Sequence, residues 1–114
     1  MPVAIYSNIT FIICLDAKKA AKKFNFEYND EYDGELISFQ ETSEVMTVLY
    51  NNTFINMNHE NIHASWIILD MVGITPTVDN QEVQTYLVDW LNKQVMDFTD
   101  ALKARRDNYH ENDY

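Results

Sequence analysis

The spacing of apolar residues changes along this chain from a strand-like to a helix-like period. Ile9 to Leu15, I-T-F-I-I-C-L, is an unbroken run rich in β-branched residues and predicts a buried strand, or else the first turns of the helix after it. D-A-K-K-A-A-K-K-F follows. Asp16 there can cap a short helix that turns Ala17, Ala20, Ala21 and Phe24 inward and leaves four lysines on a solvated face. After an acidic stretch with a turn signal at Asp33-Gly34, Glu35 to Gln40 and Val45 to Tyr50 alternate apolar and polar side chains, which predicts two strands joined through E-T-S-E.

Beyond Tyr50 the period lengthens. Asn56 or Asn58 can cap a helix running to about Val72, with Gly73 as its stop and Ile62, Trp66, Leu69 and Val72 as the residues facing a core. Ile74 to Val78 is a short connection containing Pro76. D-N-Q-E then opens the longest helix, whose apolar stripe is Val83, Leu87, Trp90, Leu91, Val95, Phe98 and Leu102. The closing R-R-D-N-Y-H-E-N-D-Y carries no stripe and is expected to fray.

This order predicts an α+β fold: a small antiparallel sheet with helices on one side, ending in a long C-terminal helix. One domain over residues 1–106 and a polar, flexible tail over 107–114 fit the length of 114 residues. A hydrophobic content of 46% with only two Gly and two Pro excludes a disordered or collagen-like chain. The start, M-P-V-A-I-Y-S-N, lacks the features of a signal peptide, and the longest apolar run is too short to span a membrane, so a cytoplasmic protein is expected. Cys14 has no possible intrachain partner and reads as an inert buried thiol.

Charge changes the picture. The net charge is −10, and from Phe24 through Asn92 there are twelve carboxylates and no lysine or arginine. Direct nucleic-acid binding is therefore not expected, because it requires cationic side chains to displace counterions from phosphates. Such a segment serves solubility, or imitates nucleic acid in the groove of a basic enzyme.

Within it lies N-H-E-N-I-H, residues 58 to 63, which contains H-E-x-x-H in a chain with three histidines in all. On a helix His59 and His63 lie one turn apart and can send imidazole nitrogens to one Zn2+, while Glu60 stands beside the metal as general base for an attacking water. Catalytic zinc usually has three protein ligands. Glu82, nineteen residues after His63 at the first turn of the next helix, is the candidate third, and Tyr86 at i+4 from it can orient a ligand or stabilise an oxyanion. Other readings exist: Glu82 completes a capping box with Asp79, Tyr86 packs in the core, and the two histidines face solvent or bond to a neighbour. Trp66 and Trp90 read as core.

H-E-N-I-H-A-S-W-I-I-L-D-M-V-G-I, followed by D-N-Q-E-V-Q-T-Y-L-V-D-W-L, resembles the small zincin-like proteins of tailed bacteriophages and, more distantly, the gluzincin metallopeptidases. The likeness covers about residues 57 to 92. It implies zinc at His59, His63 and Glu82, Glu60 as base, and hydrolysis of a peptide or protein substrate, with Val45 to Tyr50 as the strand receiving an extended peptide. Gluzincins commonly carry Asp where this chain has Tyr86, which leaves the carboxylate partner of a ligating histidine unassigned; no Arg or Lys lies near the site in sequence, so carbonyl polarisation falls to zinc with Tyr86, Tyr109 or His110. The alternative is a non-enzymatic acidic inhibitor of a basic host protein, with zinc structural or absent.

Overall fold

A computed structural model of the chain describes residues 1–3, 6, 8–29 and 31–112, with side chains through Arg105. The elements are β1 (Thr10–Cys14), α1 (Ala17–Phe24), β2 (Gly34–Phe39), β3 (Glu44–Leu49), α2 (Phe54–Met71) and α3 (Gln81–Asn112). No helix among the described residues is long and apolar enough to cross a membrane.

The architecture is α+β, and two details of the expectation are corrected. The sheet has the order β1-β3-β2 and is mixed: β2 and β3 form the expected antiparallel hairpin, with Ile37 opposite Met46, whereas β1 runs parallel to β3, with Ile12 opposite Met46. A parallel pair needs a long crossover, and here α1 and β2 lie between the two strands in sequence. The helices also cover both faces. Alternate residues of β3 divide between two cores: Val45 and Leu49 pack with Phe11, Ala64, Ile68 and Leu91 on the α2–α3 side, while Met46 and Val48 pack with Ala17, Phe24 and Phe39 on the α1 side.

Local signals account for most element ends. Asp16 caps α1 by accepting a hydrogen bond from Lys19 N at 3.1 Å, and Asn25 closes the helix in the left-handed region. Gly73, at φ 79°, follows the last turn of α2, where its N–H donates to Asp70 O and that of Ile74 to Leu69 O. The start of α2 lies earlier than expected. Thr53 is the cap, accepting from Asn56 N at 3.2 Å, while the Asn56 side chain donates back to Asn51 O. His59 is thereby placed in the second turn of α2 instead of at its end.

The inward face of α2 also differs from the apolar count. Met57, Asn61, Ala64, Ser65, Ile68 and Leu69 are buried, and Trp66 is 46% exposed. The cause is polar. Thr47 Oγ1 donates to Asn61 Oδ1 at 2.9 Å, Asn61 Nδ2 to Asn92 Oδ1 at 2.8 Å, and Asn92 Nδ2 to Asn58 Oδ1 at 2.8 Å. This chain of amides ties β3, α2 and α3 together and holds Asn61 inward, a position that hydrophobic spacing assigns to solvent.

In α3 the centre of the expected stripe holds, with Leu87, Leu91 and Val95 buried and the Trp90 ring 6.3 Å from that of Phe11. Its ends, Val83 and Leu102, are exposed. The helix continues to Asn112, past the point where the apolar pattern stops. Its N-terminus is capped by Thr77 and Asn80 in a reciprocal box, and not by Asp79 and Glu82.

Candidate functional site

The H-E-x-x-H residues sit on α2 where it passes the start of β2. His59 and His63 are exposed on one face with ring centroids 4.9 Å apart, and the edge of His63 also meets Trp66 at 5.9 Å. Glu60, next to His59 in sequence, is buried against β2. It is only 8% exposed, and its Cγ lies so close to Gly34 that a Cβ there would stand 2.9 Å from it and 3.3 Å from Val48 O. Gly34 reads in sequence as half of a turn, yet it opens β2 and its missing side chain makes the seat for Glu60.

Glu60 lies on the floor of a groove of about 360 Å³, lined also by Glu31, Tyr32, Asp33, Gly34, Ile55, Asn56 and His59. His59 Nε2 is 3.9 Å from Glu60 Oε1, beyond hydrogen-bond reach. Desolvation pushes the Glu60 carboxyl above the usual carboxylate range; His59 and His63 pull it down, and Glu35 adds to the rise. A carboxylate so placed holds a proton more readily than one in water and has spare acceptor capacity facing the groove.

The other predicted site residues are elsewhere. Asn92 on α3 bonds to Asn58 and Asn61, and Asn52 to Thr99, so the two helices run antiparallel with that register. Glu82 is ten residues before Asn92, which places it roughly 15 Å further along, beside the far end of α2. Among the described residues no three His, Cys, Asp or Glu side chains are grouped so as to hold a metal ion. Tyr86 is 70% exposed and does not line the groove. The side chains of Tyr109 and His110 lie outside the described part.

Val45 to Tyr50 is corrected as a peptide-binding strand. It forms the centre of the sheet, with its backbone paired to β1 on one side and β2 on the other. β2 is one of the two edge strands of the sheet, and its first residue, Gly34, lines the groove. Sequence reasoning missed Glu31, Tyr32, Asp33 and Gly34 as groove residues. Their signal was the D-G pair, which marks a chain reversal and a close backbone approach equally well.

Comparison with protein-family models, curated proteins and solved structures finds no match.

Proposed function

We propose that the chain is a zinc-binding, zincin-like protein that hydrolyses a peptide bond at the groove between β2 and α2. His59 and His63 would be metal ligands and Glu60 the general base. The observation that carries this reading is the division of labour on α2: two imidazoles together on the exposed face, with the glutamate between them buried on the groove floor. Zinc, when bound, would polarise the scissile carbonyl and bring the attacking water's pKa to about 7. Glu60, lining the groove, would accept the proton of the attacking water and pass it to the leaving amine. With two protein ligands in place, the expected affinity is below that of a three-ligand site, and Glu82 is not needed for it.

Metal analysis after zinc loading and removal of excess tests this reading. About one zinc per chain is expected in the wild type and in Glu60→Gln, and much less in His59→Ala and His63→Ala. A wild-type protein that retains no zinc ends the proposal. If zinc is retained, hydrolysis of a peptide library by the wild type and its loss in Glu60→Gln distinguish an enzyme from a metal-stapled binder.

A second reading is favoured by the same groove's charge. Glu31, Asp33 and Glu60 line it, in a segment with no lysine or arginine from Phe24 to Asn92. In this reading the chain is a non-enzymatic binder of a basic protein, and its binding weakens strongly with added salt.

A further inference from the structure

We infer that the groove between β2 and α2 takes a lysine or arginine side chain of an extended peptide, so that the ligand of this protein is a basic peptide segment. This rests on the reading of the groove as a peptide site and adds the class of side chain it selects. The first observation is Glu60, nine-tenths buried, lining the groove and without a donor within hydrogen-bond distance among the described residues. A buried carboxylate in that state is stabilised by an incoming cationic donor more than by an apolar or anionic group.

The second observation is the rim. Glu31 and Asp33 add carboxylates on the β2 side, and the absence of lysine and arginine from Phe24 to Asn92 leaves that segment without such a side chain to neutralise them. The third is the wall. Tyr32, 49% exposed, and Ile55, 78% exposed, offer apolar surface beside the acidic floor, which suits the methylene stem of a long basic side chain whose charged head points inward. The paired-in neighbour of this groove is the edge strand β2, along which an extended backbone can lie.

The test uses the full chain freed of metal by chelation, so that binding is read without catalysis. Uncharged extended peptides carrying one central arginine, lysine, norleucine or glutamate are titrated by calorimetry. Arginine and lysine peptides are expected to bind about tenfold or more tighter than norleucine, the effect of one partly desolvated ion pair. The preference is expected to disappear in Glu60→Gln/Glu31→Gln/Asp33→Asn, whose folding is checked by circular dichroism. Equal binding of the norleucine peptide, no binding of any peptide, or a preference that survives in the triple variant overturns the inference. The same peptides with zinc-loaded protein separate it from the hydrolytic reading: cleavage indifferent to the basic residue removes the inference and leaves hydrolysis. Basic preference without cleavage removes hydrolysis and leaves a basic segment of a protein partner as the occupant.

Discussion

Asn61 and Glu60 are neighbours on α2, both buried and both polar, and the structure treats them oppositely. Asn61 is fully enclosed and spends its carbonyl on Thr47 and its amide on Asn92. Glu60 is seated against Gly34, with His59 Nε2 3.9 Å from its carboxylate, beyond hydrogen-bond reach. A satisfied buried amide fixes how three elements register. A desolvated carboxylate lining a groove disfavours the folded state while it is ionised, and groups so perturbed cluster at functional sites.

Breaking the satisfied partner is expected to cost most. Asn61→Ala strands the Thr47 hydroxyl in the core and loosens Asn92, so unfolding in urea should show a loss of about 2 to 4 kcal/mol. A loss within experimental error would mean that the amide chain does not set the register of α2.

Gly34→Ala presses a methyl group against Glu60 Cγ and Val48 O. A loss of about 1 to 3 kcal/mol is expected, part of it recovered in the Glu60→Ala background. A double-mutant cycle measures this, and strictly additive effects would separate Gly34 from the seat of Glu60.

Glu60→Gln sharpens the contrast through pH. The folded carboxyl has a raised pKa, so its ionised form disfavours the folded state above that pKa and the penalty vanishes below the unfolded value. The variant should melt higher than wild type at neutral pH, and the gap should close as pH falls through the carboxylate range. A gap that widens on acidification would contradict the desolvation argument.

The smallest effect is expected at Glu82→Gln. Glu82 takes no part in the Thr77–Asn80 cap and is distant from the histidines, so stability should stay within about 0.5 kcal/mol and zinc content should not change. Loss of zinc in this variant would reinstate Glu82 as a ligand and require α3 to shift against α2.

Much of the local structure was legible from residue order. Asp16 as a cap, Gly73 as a stop, the hairpin of β2 and β3 and the centre of the α3 stripe depend on interactions within a few residues, which spacing encodes. The pairing of His59 with His63 follows from helical periodicity in the same way. What residue order did not show was any relation between segments. Trp66 was expected inside because hydrophobic counting cannot see that Asn61 would find partners on β3 and α3 and take the inward position.

The sequence by itself determined the elements, the cap of α1, the stop of α2 and the shared face of His59 and His63, because these are set by backbone geometry over a turn or two. Only the tertiary structure decided that the sheet is mixed and covered on both faces, that β3 is central and β2 an edge, and that Gly34 makes room for Glu60. It also set the antiparallel register that leaves Glu82 at the far end of α2. These depend on contacts between residues distant in the chain, whose partners are chosen by packing and hydrogen-bond satisfaction across the whole core.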